Sequence, residues 1–433
     1  MSYPADNINN FNDVIIIGGG PAGCATALHL LRLDPQTAKH SILLEKSFHP
    51  RQKVCGGALT INAEKLLAEL DIEVTVPQVP IHHSRFVYGR LNIDLAEDGV
   101  AKKVIRRSEF DTMLINTVKD RGFKVLEGVK AIGVTRQANG VLVHTNKGDF
   151  GAKAVVGADG VGGLLRKTPG FGPRDRVSRL WMVEVPADPE KTPIYRDRIM
   201  HVDFSYASLG VKGYYWEFPC LINGKPYTNR GLVEGTLDKK SRIDGKKLFC
   251  EILERRGVSV DGLPILSHPL RPFNPKETFS QPRLLLAGDA IGADPLFSEG
   301  ISQALSMGRL AAYTLVDGFK HNDLSFLNYT KQVLNSRVGR EMKVYMMLSK
   351  YVWGRLFEPF LSVLHADTQM RDLFAYSYGG TKDIFRSKRL LAKATAKHML
   401  FLWPRLRRFR RLADLQASAL PDLSLKFGSV RNK

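Results

Sequence analysis

Cysteine is scarce in this chain, with four in 433 residues, at positions 24, 55, 220 and 250. One of them, Cys55, stands in the stretch Lys53-Val54-Cys55-Gly56-Gly57, with two glycines directly behind it. A cysteine that only fills a core does not need them. Glycines leave the backbone bare, so something large and flat can lie against the loop with the thiol beside it. Further upstream, Gly18, Gly20 and Gly23 have the spacing G-x-G-x-x-G. The apolar run Val14 to Ile17 precedes them, and an apolar helix is predicted from Pro21 to Leu33. The first glycine allows a tight turn and the second lets a pyrophosphate reach the backbone. The third lets helix and strand pack closely, and the helix N-terminus attracts the anion. Glu45 closes the next predicted strand, 22 residues after Gly23, where a carboxylate can accept hydrogen bonds from an adenosine ribose. Strand, turn, helix and acid together point to dinucleotide binding.

The elements that must position these groups alternate along the chain. Ser41 to Lys46 reads as a second buried strand. The region from about 80 to 100 reads as strands with a hairpin. A helix capped by Ser108 is expected to end near Gly122, and a hairpin is expected on Asn139-Gly140. "AKAVVGADG" and "RLLLAGDAIGADP" each read as a buried strand running into a glycine turn, and a long amphipathic helix follows the second. Between about 176 and 275 the pattern changes to strands with aromatics, Pro and Gly; beyond about 323 it is helical and basic. The predicted fold class is α/β, with an α+β two-domain layout. A Rossmann-like domain is expected over 1–80, 101–175 and 276–322. An inserted antiparallel-sheet substrate domain is expected over 81–100 and 176–275, and a helical, basic C-terminal region over 323–433.

Composition narrows the class further. With 44% apolar residues the chain can bury sizeable cores, which excludes a disordered protein. The cysteines show no C-x-x-C spacing and no metal-ligand pattern with the 11 histidines, which predicts a reduced, cytoplasmic setting without structural zinc. No run of about 18 apolar residues predicts a spanning helix, and the N-terminus lacks the layout of a signal peptide. The net charge of +20 is uneven: Arg386 to Arg411 holds ten Lys or Arg and no acid. Leu390, Leu391, Trp403, Leu406 and Phe409 are among the apolar residues interleaved with them. Such a stretch suits a helix lying on an anionic membrane, where each basic side chain contributes about 1 kcal/mol. The expected location is therefore peripheral to a membrane. The alternative is a terminal helix whose apolar stripe packs on the body. No nucleic-acid motif accompanies the charge, so nucleic acid is not an expected partner.

Three further stretches, "VIRRSEFDTML", "VVGADGVGGLLR" and "RLLLAGDAIGADPLFSEGI", carry a resemblance. With the glycine turn, they resemble the marks of the FAD-binding para-hydroxybenzoate hydroxylase-like flavoprotein superfamily, over the chain to about residue 320. The resemblance implies FAD as cofactor. It places Arg107 on the ribityl–phosphate side, Asp159 in the "GADG" turn and Asp289 against a ribityl hydroxyl. Gly300 and Ile301 would open a helix facing the flavin carbonyl oxygen. Lys46 and Val129 join the implied cofactor set with Gly18, Gly20, Gly23 and Glu45.

Within that superfamily, "KVCGG" is similar to the K-x-C-G-G stretch of the geranylgeranyl reductase family. "GYYWEFP" fits that family's Y-x-W-x-F-P motif. The resemblance implies that Cys55, Gly56 and Gly57 lie beside the isoalloxazine ring. It also implies that Tyr214, Trp216, Phe218 and Pro219 line the lipid side, with Cys55, Tyr214 and Trp216 nearest the chemistry. One departure stands out: Phe297-Ser298 precede Glu299-Gly300-Ile301, where Thr-Gly is usual. The implied function is an FAD-dependent reductase that saturates carbon–carbon double bonds of a geranylgeranyl-type isoprenoid or prenylated lipid. Electrons would come from NAD(P)H or a reduced protein carrier, the latter a possible electron-transfer partner. An aromatic monooxygenase and a non-catalytic, membrane-associated flavin- or lipid-binding protein stay open as alternatives.

Overall fold

The computed structural model describes residues 11–96, 102–171, 178–235, 244–354, 356–378 and 402–413. Among these residues the strands form sheets of eight, seven and three strands. The centre of the first sheet is parallel. Asn12–Ile17 lies between Ile42–Glu45 and Gly148–Gly157, with Lys124–Glu127 and Leu284–Leu286 outside them. Val14, Ile15 and Ile16 have no exposed surface, as expected of a parallel strand covered on both faces. The helix Pro21–Leu33, buried over its first ten residues, lies against the helix Ile301–Lys320. The crossing is close because Gly308 has no side chain: a Cβ there would sit 2.3 Å from the Ala22 carbonyl oxygen.

The seven-stranded sheet runs in the order Leu266–Leu270, Ser178–Pro186, Lys225–Glu234, Tyr215–Ile222, Ile199–Asp203, His83–Tyr88, Leu91–Ala96. It is antiparallel except for one parallel pair, Ile199–Asp203 beside His83–Tyr88. One of its faces carries an aromatic layer that the helices Arg337–Val352, Phe357–Ala366 and Thr368–Tyr378 cover. The three-stranded sheet, Ala58–Thr60, Lys102–Ile105 and Gln78–Ile81, carries the chain between the two larger ones.

One expectation is corrected here. Ser108 does not cap its helix. The helix starts at Arg107, with Arg106 as the cap residue, and the buried Ser108 hydroxyl finds no partner among the described residues. Starting at Arg107 puts Arg107 and Asp111 one turn apart on one face, where they pair. The basic stretch is described only in part. Residues 386–401 lie outside the described residues, but Leu402–Ala413 is a helix. Its Leu406 and Phe409 are buried in the body, and Phe409 stacks on Tyr88 with ring centroids 5.9 Å apart. Those two side chains are therefore covered by the protein itself, while Leu412 is 45% exposed.

Candidate active site

The parallel register assembles the site. Ile17 pairs with Leu44 and with Gly157, and Gly157 pairs with Leu286. These strands end in one row, so the turns that follow them share the carboxyl edge of the sheet, where open α/β sheets bind ligands. At that edge Gly18 has φ +109, and a Cβ on it would lie 2.4 Å from the Ala158 carbonyl oxygen. Glu45 Oε2 accepts from the Gly19 N–H at 2.8 Å, and its Oε1 accepts from the Ser47 N–H at 2.9 Å. The carboxylate thus props the glycine turn open while staying at the site.

A cavity of about 890 Å³ extends from this turn to the seven-stranded sheet. Gly18, Gly20, Glu45, Lys46, Cys55, Gly56, Gly57, Arg107, Val129, Asp159, Asp289, Gly300 and Ile301 border it, and so do Tyr214, Trp216 and Phe218. Two expected site residues do not. Gly23 lies behind the turn, where a Cβ would meet the Gly18 carbonyl oxygen at 1.9 Å; its role is to let the helix close onto the turn. Pro219 falls on the other face of its strand. Side chains alternate along it, so Tyr214, Trp216 and Phe218 share one side and Pro219 follows Tyr215 and Glu217 to the opposite one.

The loop at Cys55 meets the aromatic strand directly. A Cβ on Gly56 would stand 2.8 Å from the Phe218 ring and 3.2 Å from Trp216 Nε1. Asn229 joins them: its Oδ1 accepts from Trp216 Nε1 at 2.8 Å, and its Nδ2 donates to the Cys55 carbonyl at 3.0 Å. The Cys55 sulfur accepts from the Gly57 N–H at 3.4 Å. Gly57 itself has φ +79.

An FAD binding domain model matches residues 12–209. The chain is 26% identical over 337 residues to a digeranylgeranylglycerophospholipid reductase of Thermoplasma acidophilum, covering 72% of this chain and 80% of that protein. Among solved structures it resembles a geranylgeranyl bacteriochlorophyll reductase-like protein of Thermoplasma acidophilum. The TM-score is 0.67 at 20% identity, over 87% of this chain and 98% of that one. It also resembles the flavin-dependent brominase Bmp2, with a TM-score of 0.63 at 18% identity, over 89% of this chain and all (100%) of that one. Residues 12–209 thus carry an FAD binding domain, on a fold shared with flavoproteins. The flavoprotein is thus an oxidoreductase whose relatives divide between reductases and halogenases or monooxygenases.

The residues of this flavoprotein fit FAD. Lys46, Arg51, Lys53, Arg107, Lys130 and Lys167 give the cavity a cationic lining that suits a pyrophosphate. Asp159 accepts from the Leu164 N–H through Oδ2, while its buried Oδ1 has no partner among the described residues. Burial pushes this carboxyl up to about 6, so a polar ligand would supply the contact it lacks. Gly300 caps the helix Ile301–Lys320 with no side chain of its own, and both it and Ile301 border the cavity. The Glu299 carboxylate beside it accepts from the Ser302 hydroxyl at 2.7 Å and from Gln303 Nε2 at 2.5 Å, so the positive end of the helix dipole is shared between that carboxylate and the cavity.

Several residues of the site were not among those expected. Asp111 accepts from Arg107 Nε and Nη2 at 2.9 and 3.1 Å and pairs with Arg51 at 3.2 Å. Its four-residue spacing from Arg107 was a signal available in the sequence. Lys53 stood inside the cysteine motif, whereas His268 had no local signal at all. Lys53 Nζ donates to His268 Nε2 at 3.0 Å and lies 3.8 Å from Asp289 Oδ2. An ammonium has no lone pair, so His268 must accept at Nε2 and carry its proton on Nδ1. Burial, then the Lys53 charge, push His268 down to about 4.

The depressed His268 makes stability depend on pH. An unfolded histidine titrates near 6.5. Between pH 6.5 and 4 the unfolded chain therefore binds more protons at this position than the folded one, and stability falls as the pH drops. His268→Gln keeps an acceptor for Lys53 and removes that dependence. Relative to wild type, the variant is expected to gain on the order of 3 kcal/mol between pH 7 and pH 4. Urea unfolding at the two pH values measures it, and parallel losses in both proteins would contradict the neutral assignment.

Proposed function

We propose that this flavoprotein saturates carbon–carbon double bonds of an isoprenoid chain, with the hydride delivered from reduced FAD. One observation carries the reading. The cysteine loop and the aromatic strand, far apart in sequence, touch through Gly56, Trp216 and Phe218 at the wall of one cavity that the glycine turn also borders. Similarity to a digeranylgeranylglycerophospholipid reductase supports it.

Bound and reduced, FAD supplies the hydride; the chain must do the rest. An isolated alkene accepts hydride poorly unless positive charge builds on its tertiary carbon, with proton delivery preceding or accompanying the hydride. The Tyr214 hydroxyl donates to the Phe297 carbonyl at 2.5 Å, and the Trp216 N–H is held by Asn229. Both rings thus have their polar ends tied off and border the cavity with their aromatic bodies, which stabilise a developing cation. Leu180, Val233 and Leu270 complete an apolar wall. Burying a hydrocarbon there contributes about 25 cal/mol per Å². Gly56 and Gly57 let the loop backbone approach the flavin ring, and Cys55 adjusts its position or the access of protons.

The membrane contact is part of the same proposal, in altered form. Arg407, Arg408 and Arg411 are exposed on the last helix while Leu406 and Phe409 face inward. Such a helix holds an anionic surface by charge without inserting. Among the described residues no helix is long and apolar enough to cross a membrane. NAD(P)H or a reduced protein carrier would bring the electrons.

The test is anaerobic. The protein is loaded with FAD, reduced chemically, and given geranylgeranyl diphosphate or extracted polyprenyl lipids. Products heavier by about two daltons per saturated bond are expected, from the hydride and proton added. Oxygen uptake with a hydroxylated or halogenated aromatic product, and no saturated prenyl product, would replace this reading with that of the oxygen-using relatives.

A further inference from the structure

The departure at Phe297 lies where the cavity ends. Phe297 is 5% exposed and borders the cavity. Behind it stand Phe86 and Phe374, with ring centroids 5.8 and 5.5 Å from its own, and neither of these borders the cavity. Phe204 continues the layer, 5.0 Å from Phe86 and 5.9 Å from Trp353. On this side the cavity therefore ends at the Phe297 ring with Tyr214 beside it, and an aromatic layer begins beyond them.

That ring is held by its backbone. The Asp294 carboxylate accepts from the N–H groups of Leu296 and Phe297 at 2.7 and 3.1 Å. Trp353 Nε1 donates to the Leu296 carbonyl at 3.1 Å, and Tyr214 donates to that of Phe297. Ser298, next in the chain, has φ +63, a left-handed conformation that a glycine adopts without strain. With the backbone pinned on these sides, the ring is a fixed wall with only its own rotamers free to change.

We propose that Phe297 sets how deep an apolar substrate enters the cavity, and hence which chain lengths this enzyme accepts. The inference rests on the apolar-substrate reading above and narrows it to substrates presenting a short apolar end. A smaller side chain at 297 would deepen the cavity by the volume its ring vacates, as far as Phe86 and Phe374.

The experiment separates this from the reaction itself by using saturated ligands. Straight-chain alcohols of about six to fourteen carbons are titrated into the FAD-loaded full-length protein by calorimetry. Affinity in wild type is expected to rise about fourfold per methylene up to a limiting length and then level off. In Phe297→Ala the limit moves to longer chains, and in Phe297→Leu it moves less. Since a buried Phe→Ala change is destabilising, retention of FAD is checked by its visible absorbance, and the leucine variant carries the test should the alanine one fail to hold it. An unchanged limit in a variant that holds FAD overturns the proposal, as does the lack of any limit in wild type. If the limit moves but no prenyl compound is ever reduced, Phe297 keeps its role and the proposed reaction is lost.

Discussion

Replacing Gly57 with alanine is expected to leave a protein that no longer holds FAD. Two costs fall on one position. With φ +79, any L side chain there is strained by about 1–2 kcal/mol. The added Cβ would also stand 2.0 Å from the Ile105 carbonyl oxygen, which is backbone and cannot swing away. Gly57 is fixed in place because its own carbonyl accepts from the Ile105 N–H at 2.9 Å. Relief must therefore come from moving the loop, and the loop carries Cys55 and Gly56 at the cavity wall. The strain alone corresponds to roughly a tenfold loss of FAD affinity, and the clash adds to it. Gly122→Ala is the control. Gly122 has φ +86, and a methyl group added there would meet nothing within 4 Å, so it bears the strain without the clash. It is expected to lose about 1–2 kcal/mol of stability and keep its FAD. Equal FAD content in the two variants, read from the visible spectrum, would remove the claim that this loop forms part of the cofactor site.

Asp111→Ala is expected to be the most destabilising single change in the site. Asp111 has no exposed surface and holds two guanidinium groups, those of Arg107 and Arg51. Arg107 is itself buried. Removing one member of a buried ion pair leaves the other charge uncompensated, at a cost of about 3–5 kcal/mol. Both arginines also border the cavity, so losing the carboxylate that aims them is expected to weaken FAD binding. Asp111→Asn separates the two effects. It keeps an acceptor and the volume but removes the charge, so the loss of stability is expected to remain while part of the orientation survives. Urea unfolding gives the first quantity and FAD titration the second. Full stability in Asp111→Ala would mean that the arginines are compensated by solvent and that the pairing is incidental.

Local features of the chain could be read without any coordinates. The glycine turn, the strand before it and the helix Pro21–Leu33 follow from hydrophobic periodicity and from glycines at fixed offsets, all within some twenty residues. The same holds for the turns at Asp159 and Asp289 and for the long amphipathic helix after them, whose start at Gly300–Ile301 the resemblance implied. Buried parallel strands advertise themselves as apolar runs, and glycines mark the places where a side chain has no room. The family resemblance added the pairing of a cysteine loop with an aromatic strand, but neither stretch says where the other lies.

Long-range packing settled the remainder. Strand register brings Lys53 to His268 and Cys55 to Asn229, pairs separated by 215 and 174 residues. It also turns Pro219 away from Tyr214, Trp216 and Phe218, since neighbouring residues of a strand point to opposite faces. The start of the helix at Arg107 was decided by the buried pairing with Asp111, not by the capping preference of Ser108. In the same way, Leu406 and Phe409 pack on the body near Tyr88 because apolar surface there was available to cover them. A short window of residues encodes propensity and periodicity, whereas a contact between distant segments depends on the free energy of the whole packed arrangement, to which each window contributes only a part.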